Sequence, residues 1–248
     1  MSVYKAAAVS YLNTKPLIYG FQQGVLQDQV ALSFEYPSLV ARQLINNQVD
    51  IGLVPIAAVP RLKEWYIISN YCIGCTGPVA SVCLFSDVPI EEVKEVLLDY
   101  QSRTSVQLAK ILLKEYWNCN PVLTDAKEDF RDHINGTTAG LVIGDRAFQQ
   151  RKVSAYSYDL GAAWLQHTGL PFVFATWVSN KPLPTSFTDA FNATTAMGLQ
   201  HLPAIAAEQH YPLYDLYQYY TQNISYQLDD AKRKGMDLFL KKIEEYGW

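Results

Sequence analysis

An α/β fold with a largely parallel sheet is what this chain predicts, on three observations. Short apolar runs recur along it, each gives way to a segment with apolar residues at helical spacing, and the junctions are polar turns. A chain of 248 residues can form one large domain or two smaller lobes.

The elements follow in order. Residues 6–9 (Ala-Ala-Ala-Val) have the length of a buried strand, and a helix opens near Leu17 because Pro16 fits a first helical turn, where its missing N–H costs nothing. Residues 32–36 alternate as a strand; Pro37-Ser38 then opens a helix over 39–46. Residues 50–56 read as a short buried strand ending in a proline turn, and 77–86 as a turn followed by a strand. An apolar run at 93–98 closes on Asp99-Tyr100. A strong helix over 105–116 carries Val106, Leu108, Ala109, Ile111, Leu112 and Leu113, and a strand over 139–143 ends at Gly144-Asp145. The final third is helical over 189–202, 204–210, 213–222 and 229–246. In the last of these Met236, Phe239, Leu240 and Ile243 form an apolar stripe, and Lys232, Arg233, Lys241 and Lys242 a solvated face.

Composition excludes several classes. With 49% hydrophobic and 18% charged residues the chain is globular rather than disordered. A net charge of -4 and no run of five basic residues argue against a nucleic-acid partner. No stretch approaches the roughly 18 apolar residues of a membrane span, so no membrane partner is expected. The N-terminus carries no apolar h-region, so no signal peptide is read and a cytoplasmic location is expected. Cys72, Cys75, Cys83 and Cys119 lack a second C-x-x-C pair or a histidine couple, and read as reduced structural thiols.

Two strand-to-helix turns carry the same chemistry. Ser10-Tyr11-Leu12-Asn13-Thr14 presents hydroxyls, an amide and backbone N–H groups ahead of a helix, an arrangement suited to an anionic oxygen ligand. Ser102-Arg103-Thr104-Ser105 clusters three hydroxyls around a guanidinium before the strong helix; one of them caps it, and together they form a second anion site. Ser81 and Ser86 lie among apolar residues, where each needs a partner, and neighbouring backbone is the simplest one. Asp145 either caps the helix that follows or meets a ligand. His133, His167, His201 and His210 fall outside these turns, and no Walker loop, G-x-G-x-x-G, G-x-S-x-G or H-E-x-x-H is present. No metal or cofactor is therefore expected; any catalytic site here would be made of hydroxyls, amides and an arginine.

Taken in order, SYLNTKPL, DIGLVPIAAV, GPVASVCLFS, SRTSVQLAKILL, AGLVIGDRAF and YDLGAAWLQHTGLPFVFATW resemble the chorismate dehydratases of the futalosine route to menaquinone, across most of residues 3–180. The resemblance implies a two-lobed fold like that of type II periplasmic binding proteins, with an interlobe ligand cleft. Residues 1–86 and 176–248 would form one lobe and 87–175 the other, with crossings near 85–88 and 174–178. It implies a hydro-lyase that converts chorismate, a small-molecule dicarboxylate, to 3-[(1-carboxyvinyl)oxy]benzoate. Asn13 and Ser81 match catalytic positions, and Ser10, Tyr11, Ser102, Arg103, Thr104, Ser105 and Asp145 would bind substrate. No histidine or glutamate falls in the polar turns of these motifs, His167 lying in the last of them away from those turns, so a carboxylate of the substrate is expected to remove the proton. Two alternatives stay open: the lyase of the same route that releases 1,4-dihydroxy-6-naphthoate, and a non-catalytic binding protein for an aromatic carboxylate. Oligomeric state is left open.

Overall fold

A computed structural model describes residues 3–247. The chain opens with β1 (Tyr4–Val9), whose last four residues are buried, and a short 3-10 turn (Leu12–Thr14) leads into α1 (Lys15–Gln22) with Pro16 in its first turn. Then come β2 (Val30–Glu35), α2 (Pro37–Ile45), the fully buried β3 (Ile51–Pro55), a 3-10 segment (Ile56–Arg61) and β4 (Tyr66–Cys75). The second lobe holds β5 (Val82–Ser86), β6 (Glu95–Leu98), α3 (Arg103–Glu115), β7 (Val122–Asp125), β8 (Thr138–Ile143), α4 (Arg146–Gln150), β9 (Tyr156–Asp159) and α5 (Leu160–Thr168). The chain returns through β10 (Phe172–Ser179) to α6 (Thr185–Leu199), α7 (Leu202–Glu208), α8 (Leu216–Gln218), a π turn (Tyr219–Asn223), β11 (Ser225–Gln227) and α9 (Asp230–Glu245).

Among the described residues the strands form two sheets, ordered β11-β4-β10-β3-β1-β2 and β7-β6-β8-β5-β9. The expectation of a largely parallel sheet is corrected. β1, β2 and β3 pair in parallel, as do β6, β7 and β8, but β10 runs antiparallel to β3 and β4, and β5 antiparallel to β8 and β9. Both exceptions adjoin the crossings between sheets, and antiparallel neighbours need no helical crossover. The expected lobe limits move for the same reason. β5 pairs within the second sheet, so the outward crossing is 76–81 rather than 85–88. All of β10 lies in the first sheet, so the return is 169–171 rather than 174–178.

One carboxylate fastens the outward crossing. Asp159 Oδ1 accepts from the backbone N–H of Val79 at 3.0 Å, Gly161 at 3.0 Å and Ala162 at 3.1 Å, and its Oδ2 from Ala80 N–H at 2.7 Å. It is thus the N-cap of α5 and the anchor of a turn in which Ala80 is held at a φ of 63°. In the first lobe α1 and α6 touch backbone to backbone: a Cβ at Gly198 would lie 1.9 Å from the Pro16 carbonyl oxygen. α9 packs on β10 of the first lobe and on α3 of the second. Its Lys242 and Tyr246 both bond Glu115 of α3, which also meets His167 at 2.9 Å.

The solvated face read on α9 is corrected in part. Lys232 is 1% exposed, its aliphatic stem buried and its Nζ reaching Asp229 at 2.9 Å, and Lys242 is engaged with Glu115. No helix among the described residues is long and apolar enough to cross a membrane.

Candidate active site

Between the lobes lies a narrow cavity with about 50 Å³ of water-accessible space. Its walls are mainly apolar: Val9, Ile73 and Phe174 from the first lobe, Val79 and Val82 from the crossing and its strand, and Ile143 from the second lobe. Four polar side chains face it: Tyr11, Asn13, Ser102 and Ser105. Asn13 and Tyr11 follow the end of β1, whereas the two serines stand at the N-terminus of α3. The two polar turns singled out in the sequence therefore converge on one cavity.

Each group is held by specific bonds. Ser102 is the N-cap of α3; its Oγ accepts from Ser105 N–H at 3.2 Å and donates to Ser105 Oγ at 3.0 Å. The positive end of the α3 dipole thus borders the cavity. Asn13 is 8% exposed; its Oδ1 accepts from Thr14 Oγ1 at 3.4 Å and its backbone carbonyl from the Tyr226 hydroxyl at 3.0 Å. Tyr11 donates to Gln101 Oε1 across the cleft, and burial raises its phenol far above the ordinary range, so it stays a donor. Gly144, at a φ of 65°, allows the Tyr11 ring to lie against it: an added Cβ would stand 3.3 Å from three ring atoms.

Ser81 is completely buried behind the cavity wall, between the lining residues Val79 and Val82, and the Tyr219 hydroxyl donates to its Oγ at 2.7 Å. Backbone was the expected partner, and Ser86 does follow that expectation, donating to the Val88 carbonyl at 2.8 Å. The Asn13 side chain lies close enough to Tyr219 to oppose, weakly, the rise that burial gives its phenol.

Four of the expected binding residues lie off the cavity wall. Ser10 is exposed beyond the end of β1. Thr104 spends its Oγ1 accepting from Ala57 N–H at 3.1 Å, bracing one lobe on the other. Arg103 is exposed and lines an outer groove together with Arg61 and Lys110; the groove meets the cavity at Ser102. Successive helical residues diverge by about 100°, which turns Arg103 away from the side Ser102 faces. Asp145 stands at the N-cap of α4, but its side chain makes no capping bond there. Its Oδ1 accepts from Leu12 N–H at 3.2 Å, another bond between lobes. Burial pushes the Asp145 carboxyl up to about 6, against the opposing pull of the Leu12 N–H, Lys15 and Arg146.

A buried ion pair fixes the adjacent loop. Asp99 takes Arg146 Nη2 at 2.6 Å, Gln101 N–H at 2.9 Å and Ile143 N–H at 3.3 Å. Burial still raises its carboxyl, the arginine and the two N–H groups working the other way. Gln101 is thereby positioned to receive Tyr11.

Tyr219, Tyr226, Gln101 and Asp159 are the members of this site that sequence reasoning missed. The tyrosine-rich stretch 211–226 was the available signal for two of them. The Cys72 and Cys75 thiols are buried and free in β4; burial raises Cys72 to about 12 and Cys75 further, as inert structural thiols require.

Comparison with known proteins adds to this geometry. Residues 4–245 match the family model described as menaquinone biosynthesis. A protein of Thermus thermophilus named chorismate dehydratase is 27% identical over 232 residues, which cover 84% of each chain. Among solved structures, protein AF1704 of Archaeoglobus fulgidus superposes with a TM-score of 0.78 at 12% identity, over 98% of this chain and 97% of that one. The periplasmic aliphatic sulphonate binding protein SsuA of Escherichia coli superposes at 0.62 with 12% identity, over 100% and 93%. These structures share the two-lobed fold of periplasmic binding proteins.

Proposed function

This chain belongs to the menaquinone-biosynthesis family, and on that premise we propose that it is a chorismate dehydratase, a hydro-lyase acting in the cytoplasm. The observation that carries the reading is the convergence of Asn13 with Ser102 and Ser105 on one largely apolar cavity between lobes. Chorismate is an apolar ring with two carboxylates, and it suits a dry pocket with separate clusters of N–H and O–H donors.

The reaction needs little from a protein acid or base. The ring carbon bearing the enolpyruvyl ether loses its proton, the C–H electron pair shifts into the ring, and the hydroxyl on the neighbouring carbon departs. The ring becomes aromatic and the proton leaves with the hydroxyl as water. In this reading a carboxylate of the substrate takes the proton and hands it to the departing hydroxyl, so no net acid or base is consumed. Asn13 hydrogen-bonds that hydroxyl, Ser81 fixes a carboxylate, and Tyr11, Ser102 and Ser105 with the α3 N-terminus hold the remaining oxygens. Orienting the reacting atoms in this way is worth on the order of 7–11 kcal/mol in favourable cases.

The test is purified protein with chorismate, followed for a benzoate product. Asn13→Ala and Ser81→Ala should each lower kcat by about 10²-fold or more. Asp145→Asn should retain most of the turnover. Should it abolish turnover while substrate affinity is kept, the base belongs to the protein and the substrate-assisted step is wrong. Tight binding without product would make the chain a receptor; cleavage of cyclic futalosine instead would make it the naphthoate-forming lyase.

A further inference from the structure

The catalytic side of the cavity is backed by an unusual piece of backbone. Tyr219–Asn223 form a π turn, a rare wide turn that recurs at functional sites. It turns Tyr219 fully inward, where its ring packs edge-on against Phe148 and its hydroxyl reaches Ser81 Oγ at 2.7 Å. Nothing in the first 180 residues supplies this hydroxyl. A serine hydroxyl has one proton to give. With Tyr219 donating to its oxygen, the Ser81 proton is left for another acceptor, and no second partner of Ser81 Oγ exists among the described residues.

We propose that Tyr219 is a positioning residue. It holds the Ser81 oxygen as an acceptor, so that the Ser81 proton is aimed at a carboxylate oxygen of the ligand. The inference deepens the functional reading above and rests on it for the identity of the substrate. Its chemical content is narrower: a ring carboxylate is recognised through a phenol–hydroxyl relay, not through a cation. Ser81 stands just behind the described cavity wall, flanked by the lining residues Val79 and Val82, and no lysine or arginine is among the lining residues.

The experiment is a double-mutant cycle on Tyr219→Phe and Ser81→Ala, read twice: as kcat/KM on chorismate, and as affinity for isophthalate, an unreactive aromatic dicarboxylate, by calorimetry. Each single change should weaken isophthalate about tenfold and lower kcat/KM at least as much, and the double variant should be no worse than Ser81→Ala alone. Additive losses, or a Tyr219→Phe protein with unaltered affinity, would overturn the relay. If wild type binds isophthalate and leaves chorismate unchanged, the dehydratase reading falls while the cycle still decides the relay. If wild type neither binds the one nor converts the other, both fall. Should Tyr219→Phe not fold, 3-fluorotyrosine at position 219 keeps the shape and strengthens the donor. Isophthalate should then bind about twofold tighter, and unchanged binding would reject the proposal.

Discussion

Replacing Asp159 by alanine removes the acceptor for four backbone N–H groups at once. Two of them, on Gly161 and Ala162, are the first free N–H groups of α5, and losing such a cap costs about 1 kcal/mol. The other two belong to Val79 and Ala80, which are 1% and 4% exposed, so water replaces the carboxylate poorly. Each bond to a charged acceptor is worth about 1.5–3 kcal/mol. Allowing for non-additivity within one cluster, the total is about 4 kcal/mol. Asp159→Asn is the discriminating partner. An amide oxygen in place of Oδ1 can keep three of the bonds, but its NH₂ would confront Ala80 N–H, a loss of about 2 kcal/mol. Urea unfolding followed by far-ultraviolet circular dichroism measures both, with m-values checked for constancy. Because the same turn carries Val79 and Ser81, kcat should fall in the order wild type, Asn, Ala even where the protein is fully folded. An alanine variant within 1 kcal/mol of wild type, or an asparagine variant as damaged as alanine, would refute the division of bonds between the two oxygens.

Four shorter expectations accompany it. Ala80→Gly should stabilise the protein by about 1 kcal/mol in thermal unfolding, because glycine tolerates the left-handed conformation that alanine holds at a φ of 63°. Gly198→Ala should cost about 2–3 kcal/mol by prising α6 from the Pro16 carbonyl, and a neutral result would disprove that close approach. Burial works to raise the Glu115 carboxyl, but bonds from Lys242, Tyr246 and His167 outweigh it and bring it to about 2, below the ordinary 4.5. The stability it adds is complete above about pH 4.5 and is lost as pH falls toward 2; Glu115→Gln should lower stability at pH 7 by about 2 kcal/mol after discounting for solvent screening, and flatten the acid limb. Arg103→Gln should lower kcat/KM for chorismate a few-fold at low salt and scarcely at high salt, since a groove cation steers an anion over a Debye length of about 10 Å at 0.1 M; equal loss at both salts would place Arg103 in direct contact instead.

Local chemistry was legible in the chain. Pro16 marked the start of α1, the Ser102–Ser105 cluster a cap for α3, and the alternation of apolar runs with helical spacing the α/β class, because each depends on residues within a turn or two of one another. The pairing of the Asn13 turn with the Ser102–Ser105 turn was also readable, since both follow strands and open helices in the same sense. Which sheet claims residues 82–86 was not, because an apolar strand carries no mark of its partners. The same holds for the side chains that the fold redirected. Arg103 points into the outer groove, Asp145 latches onto Leu12, and Lys232 is buried beside Asp229. Periodicity assigns a face to a residue but does not say what packs against that face. Tyr219 is the sharpest case: 138 positions separate it from Ser81, and only the closing of the chain through β10, α6 and the π turn brings the two hydroxyls to 2.7 Å. The short-range pattern determined the elements; the long-range packing decided which side chains meet at the cavity and which hydroxyl bonds which.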